Sequence, residues 1–311
     1  MSIKVFHTAD LHIGMRFKNY PDGLRKILVE SRFEVLDKLI QVANQKECNL
    51  FVVAGDLFNN INTSTKNIDR IIKSLNAFSG ECVVILPGNH DYDNGVIDLW
   101  KIFSAHGSDK IVLVNDKKPY DLNSYGLNAV IYPAPCHSKH SDENSLGWMK
   151  DESLFDSTPY NIGIAHGALE GISPDIEKTY YFMSQRELHD IPVDIWLLGH
   201  THVSYPKEDS IKDNKIFISG TPEPDGLDCK HKGYGWIISI DKDKVIDAQK
   251  VVTGSYRFMD ENFEIKDDED FYNLENIILK DEPKRKIVRI TLDGRISNEL
   301  YKNRQKLYDK L

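Results

Sequence analysis

Asp10 and His12 stand two positions apart, Asp56 follows a glycine, and Asn89-His90-Asp91 follows another. His166, His200 and His202 complete a set of carboxylate, amide and imidazole side chains. Such donors are hard-to-borderline ligands that suit Mn, Fe or Zn and match thiophilic metals poorly. Asp10, His12, Asp56, Asn89, His166, His200 and His202 are too many for one ion and suffice for two. Two ions roughly 3.5–4 Å apart are a recurrent device for phosphoester hydrolysis. One carboxylate usually bridges such a pair, and Asp56 is the candidate. Taken singly, each piece has an ordinary reading: Asp10-Leu11-His12 as a cap, Gly55-Asp56 as a turn, His166 as a hydrogen-bonded structural histidine. His200 and His202 alternate in an extended stretch, which points both rings the same way. The joint occurrence at successive strand ends is what points to chemistry.

These residues need elements that bring them together. Residues 3–9, 50–54 and 82–86 are short apolar runs that read as buried strands. Residues 25–46 and 65–78 have helical spacing, with Ile27, Leu28, Phe33, Leu36, Leu39, Ile40 and Ala43 on one face of the first. Strand, helix, strand, helix, strand is the pattern of parallel βαβ units. Their strands end on one edge of a sheet, where α/β folds keep their ligands. Asp10, His12, Asp56, Asn89 and His90 are therefore expected to converge.

The second half repeats the theme. Residues 127–132, 161–165 and 194–198 read as strands, the last two ending at His166 and at Gly199-His200-Thr201-His202. Residues 216–219, 234–240 and 245–252 are expected to close a second sheet. The polar stretch 136–159 reads as a long loop at the rim of the site. Composition shifts near Met259: an acidic cluster over 259–270, a helical pattern over 271–279, an edge strand over 287–292 and a helical stretch over 298–311. Residues 1–255 are thus expected to form the main domain. Residues 256–311 are expected to start an accessory domain, truncated or naturally short, because so few residues bury little core.

The chain has 311 residues, 41% hydrophobic and 28% charged, an ordinary globular composition. No apolar stretch is long enough to span a bilayer, and no signal pattern opens the chain. Cys48, Cys82, Cys136 and Cys229 are widely spaced and form no C-x-x-C pair, which argues against a disulfide framework and fits a reducing cytoplasm. The net charge of −9 argues against gripping nucleic acid by bulk electrostatics. A locally basic groove, or a site made positive by bound metal, stays open.

Asp10-x-His12, Gly55-Asp56, Gly88-Asn89-His90-Asp91, His166 and Gly199-His200-x-His202 resemble the five-motif signature of the calcineurin-like metallophosphoesterases. The resemblance implies an α/β fold, a four-layer α/β/β/α sandwich of two mixed sheets. Carried over by position, it implies that Asp10, His12, Asp56 and His202 hold one divalent ion and that Asp56, Asn89, His166 and His200 hold the other. Mn(II) is the first expectation, with Fe, Zn or Mg as alternatives. The surroundings, His7-Thr8-Ala9-Asp10-Leu11-His12-Ile13-Gly14, Ala54-Gly55-Asp56-Leu57-Phe58 and Pro87-Gly88-Asn89-His90-Asp91, are similar to the SbcD and Mre-eleven DNA-repair nucleases. Asn59 departs from that branch, standing where its archaeal and eukaryotic members have a second active-site histidine.

The resemblance implies a cytoplasmic DNA nuclease, exo- or endonucleolytic, that works with an SbcC-like coiled-coil ATPase and has no membrane partner. A homodimer is among the assemblies it allows. The alternative is a phosphodiesterase or phosphatase for small nucleotides or other phosphoesters using the same site. His90, beside a ligand but outside the ligand set, is expected to face substrate and stabilise the transition state or protonate the leaving oxygen. Asp91 is expected to be its partner and to fix the ring's tautomer. Arg16, Lys18, Lys66, Arg70 and Lys73 are candidates to line a groove along a DNA backbone.

Overall fold

The computed structural model describes residues 2–156 and 159–308. Residues 1, 157–158 of the expected loop and 309–311 of the expected last helix lie outside the described residues. The chain divides into two compact units. The first comprises the residues up to Glu223 together with Gly233–Gly254, and the second Pro224–Lys232 with the residues from Ser255 onward.

The strands of the first unit are β1 (Ile3–Thr8), β2 (Leu50–Ala54), β3 (Cys82–Leu86), β4 (Ile111–Leu113), β5 (Tyr120–Asp121) and β6 (Ala129–Ala134). They continue with β7 (Tyr160–His166), β8 (Ile195–Gly199), β9 (Ser210–Lys212), β10 (Ile216–Ile218), β11 (Tyr234–Ile240) and β12 (Ile246–Val252). Its helices are α1 (Asp22–Gln45), α2 (Thr65–Asn76), α3 (Asp98–His106) and α4 (Gln185–Asp190).

Among the described residues, seven strands form one mixed sheet in the order β4-β3-β2-β1-β11-β12-β9, and five form another in the order β10-β8-β7-β6-β5. β1 to β4 run parallel, as the βαβ reading expects, and β11 joins β1 antiparallel with Ile3 opposite Ile240. Residues 234–240 and 245–252 were expected in the second sheet; they extend the first, and only β10 closes the second. Local patterning identifies a strand but not its distant partner, and here β11 crosses back to the open edge of β1.

Alternation sorts the strand residues into layers. Val5, Val52 and Val84 from the first sheet meet Ile131, Ile162 and Leu197 from the second in one core. Phe6, Phe51 and Val83 point the other way, into a core with Leu36 and Leu39 of α1 and Ile68 and Ile71 of α2. Trp196 and Leu198 face outward under Leu188 of α4. The result is helices, sheet, sheet, helices. With both faces covered, the inner strands read as continuous apolar runs.

The second unit holds β13 (Arg257–Ile265), α5 (Asp268–Ile278), β14 (Lys286–Gly294), α6 (Asn298–Asn303) and α7 (Gln305–Tyr308). β13 and β14 pair in parallel over their full lengths. β13 occupies part of the stretch that reads as an acidic cluster: Asp260 and Glu264 are exposed along it while Phe258 and Ile265 are buried. Phe271, Leu274 and Leu300 form a small core with Ile265.

Candidate metal centre

The parallel strands deliver their polar turns to one edge. Asp10 and His12 follow β1, Asp56 follows β2, Asn89 follows β3, His166 ends β7, and His200 and His202 follow β8. Asp10, His12, Asp56, Asn89 and His166 are at most 2% exposed, a degree of burial polar side chains rarely reach without partners. Gly88 makes the approach possible, since a Cβ there would lie 2.2 Å from Asp56 Oδ1 and 2.3 Å from the Asp56 amide nitrogen.

Contacts join the two sheets across this edge. His12 Nε2 meets His202 Nε2 at 3.1 Å and Asp56 Oδ2 at 3.7 Å. His166 Nε2 lies 3.3 Å from Asp56 Oδ2 and 3.0 Å from Asn89 Oδ1. His200 Nδ1 lies 3.1 Å from the same Asn89 oxygen. The His200 amide donates to both Asp10 carboxylate oxygens at 3.1 Å. Asp56 Oδ2 is thus the oxygen shared between the His12 and His166 neighbourhoods.

The donor chemistry fits bound cations. The Ala54 carbonyl stands 2.8 Å from His166 Nδ1, so that nitrogen carries the ring proton. In a neutral ring, Nε2 then turns a lone pair toward two more acceptors, Asp56 Oδ2 and Asn89 Oδ1. Three lone pairs converging in a buried place require a cation. The protein alone answers with a proton: burial would lower His166, yet the Asp56 and Asp10 carboxylates push it up to about 9. Reciprocally, burial would raise Asp56, but His166 and His12 hold it well below the usual carboxylate range. Among the described residues, Asp10, His12 and His202 offer ligand atoms all within 4.8 Å of one another, as do Asp10, Asp56 and His166, and His12, Asp56 and His90. These overlapping sets fit two divalent ions.

His90 sits at the mouth, half-buried, its ring edge-on to His12 at a 4.8 Å centroid separation. Its amide donates to Asp56 Oδ1 at 2.8 Å, and its Nδ1 lies 3.2 Å from the Asn59 carbonyl oxygen. Asp91 does not meet the expectation of partnering the His90 ring. Its fully buried carboxylate accepts from the Phe58 amide at 2.9 Å and the Gly88 amide at 2.7 Å, tying the second motif's turn to the third's. Burial and the nearby Asp56 push it up to about 7. The group facing the His90 ring is a backbone carbonyl, which no side-chain motif announces.

Of the expected DNA contacts, Arg16 and Lys18 are exposed after the first motif, and Lys66 and Lys73 are exposed on α2. Arg70 is engaged within the protein: it forms a two-point ion pair with Glu30 and stacks over Phe33, 4.1 Å from the ring centre. Residues beyond the motifs also build the site. Tyr180 packs against His200 at a 5.0 Å ring separation, and the Lys139 carbonyl accepts from the Asn89 amide group.

The profile of the calcineurin-like phosphoesterases matches residues 3–204, a span that includes every donor from Asp10 to His202. The chain belongs to the calcineurin-like phosphoesterase family. As a member it is a metal-dependent phosphoesterase. This phosphoesterase is 23% identical over 235 residues to the DNA double-strand break repair protein Mre11 of Methanopyrus kandleri. The alignment covers 71% of the chain and 49% of that protein, so the chain spans about half the length of this curated relative. Among solved structures, it is similar to TT1561 of Thermus thermophilus (TM-score 0.46, 10% identity, 80% of this chain and 99% of that one). It is also similar to a dimetal phosphatase from Danio rerio (TM-score 0.45, 12% identity, 81% and 99%). Among the described residues, no helix is long and apolar enough to cross a membrane.

Proposed function

We propose that this phosphoesterase is a Mn(II)-dependent DNA nuclease of repair or processing, acting with a coiled-coil ATPase of the SbcC type. The observation that supports two-ion phosphoester hydrolysis is the Asp56 Oδ2 oxygen, 3.7 Å from His12 Nε2 on one side and 3.3 Å from His166 Nε2 on the other. The repair-protein relative and the sequence around the motifs support DNA as the substrate.

Asp10, His12, Asp56 and His202 would hold one divalent ion, and Asp56, Asn89, His166 and His200 the other. When bound, such a pair supplies Lewis-acid polarisation of the phosphoryl group and a water of lowered pKa. The chain's own residues do the rest. The Asn59 carbonyl fixes the His90 proton on Nδ1 and leaves Nε2 to face the scissile phosphate. With a second proton on Nε2, His90 would donate to the phosphoryl oxygens and offset their charge, or give that proton to the leaving oxygen. Arg16, Lys18, Lys66 and Lys73 would contact the DNA backbone, and the net negative charge makes an ATPase partner the main source of DNA affinity.

The test is to incubate the chain with Mn(II) and labelled single- and double-stranded DNA, beside a nitrophenyl phosphodiester. DNA degradation is expected; cleavage of the small ester with intact DNA at every salt concentration refutes the nuclease reading and favours a small-phosphoester hydrolase. His90→Ala should lose about 10²- to 10⁴-fold in rate while binding two ions. Loss of an ion in that variant would make His90 a ligand.

A further inference from the structure

One charged side chain sits where α1 should be apolar. Arg32 lies on the helix face of Leu28, Val35, Leu36 and Leu39, and it is 0% exposed. Burying a guanidinium is costly unless its surroundings compensate its charge and hydrogen bonds. Its Nη1 reaches the Leu11 carbonyl at 3.4 Å and Thr221 Oγ1 at 3.3 Å, and its guanidinium carbon lies 5.6 Å from the centre of the Phe17 ring. The buried Thr221 hydroxyl in turn faces the Asp10 carbonyl at 2.9 Å. Arg32 therefore reaches the first motif's loop at both its beginning and its end.

That loop is strained. Asp10 has φ +55° and His12 φ +48°, two non-glycine residues in the left-handed region with Leu11 between them. Their amides are held from one side by the turn after β2: Asp10 by the Gly55 carbonyl at 3.1 Å, His12 by the Asp56 carbonyl at 3.0 Å. The carbonyls of Asp10 and Leu11 point the other way, toward Thr221 and Arg32. The turn that aims the Asp10 carboxylate and the His12 ring is thus pinned on both faces.

We infer that Arg32, acting with Thr221, is the positioning residue for one half of the metal centre, the half built by Asp10, His12 and His202. The inference rests on the two-ion reading above. Arg32 reaches the first motif directly, through the Leu11 carbonyl, while His166 and Asn89 of the other half meet the Ala54 and Lys139 carbonyls. Residues that orient ligands typically change metal affinity about 10- to 100-fold when replaced.

The experiment is calorimetric titration of the metal-free chain with Mn(II) alone, paired with a thermal melt to confirm folding and electron paramagnetic resonance to distinguish single ions from coupled pairs. Wild type should take up two ions with a coupled spectrum. Folded Arg32→Met should keep one at near wild-type affinity and bind the other about 10- to 100-fold more weakly, with single-ion signals at one equivalent. Arg32→Lys, which still offers a donor to the Leu11 carbonyl, should recover part of the loss. Folded Arg32→Met with both affinities unchanged, or both weakened equally, overturns the inference. Should Arg32→Met not fold, Thr221→Val carries the same expectation, and unchanged binding in that variant overturns it. Fewer than two ions in wild type instead overturns the two-ion reading, and the inference falls with it.

Discussion

Gly88→Ala is the smallest change that reports on the centre. The added methyl carbon would stand 2.2 Å from Asp56 Oδ1 and 2.3 Å from the Asp56 amide nitrogen, where ordinary contact begins at 3.4 Å. Some part of the β2 or β3 turn must therefore move by about 1 Å, against a backbone atom that has no rotamer to change. Overpacking of this kind costs about 1–3 kcal/mol. Asp56 Oδ1 also accepts from the His90 amide, so the displacement moves the shared carboxylate and the candidate catalytic ring together. Misplacement on that scale costs about 10²-fold in rate. Gly23→Ala is the control: a Cβ there meets nothing within 4 Å at the start of α1, so it should stabilise by about 0.5–1 kcal/mol and leave cleavage unchanged. Urea unfolding, Mn(II) titration and phosphoester cleavage should be measured on both. A Gly88→Ala protein with wild-type stability, metal affinity and rate refutes this packing.

Burial lowers His7 to about 3, so unfolding at mildly acid pH takes up a proton the folded chain refuses. Its contribution to stability is complete above pH 6.5 and falls as pH drops toward 3, by about 1.4 kcal/mol per pH unit. His7→Leu should thus show an unfolding free energy that falls about 2 kcal/mol less than wild type between pH 6.5 and 5; identical slopes would show that His7 does not control acid stability. Arg70→Ala should lose roughly 0.5–1 kcal/mol of stability through its ion pair and ring stacking. On the proposed nuclease reading, the salt dependence of DNA binding should match wild type, and a shallower slope would place Arg70 on the DNA.

The ligand edge was legible because parallel βαβ units force strand ends together, and each apolar run from β1 to β3 stops at a turn holding Asp, Asn or His. What the sequence concealed depended on partners without side-chain signatures. The His90 ring faces the Asn59 carbonyl, and Asp91 serves two backbone amides, whereas adjacency alone pairs Asp91 with His90. β11 beside β1 is a pairing between residues more than two hundred positions apart, which local periodicity does not encode. Arg32 looks like any charged helix residue until the apolar neighbours at i−4, i+3 and i+4 are seen to be buried. Arg70 shows another hidden partnership: it sits on the polar face of α2, yet it pairs with Glu30 and stacks over Phe33 of α1.

The joining of the two sheets at Asp56, His166 and Asn89 has a mechanical corollary. Asp10, Asp56 and Asn89 hang from one sheet while His166, His200 and His202 hang from the other, so any cation they share is a rivet through both layers. Uptake of ions then adds to resistance against shear between the sheets, by about 2.7 kcal/mol per ion at a hundredfold excess over the dissociation constant. Slowed amide exchange should spread along β1, β2, β7 and β8 rather than stay in the loops. A substitution at any of these positions should therefore cost both metal binding and the cohesion of the sandwich.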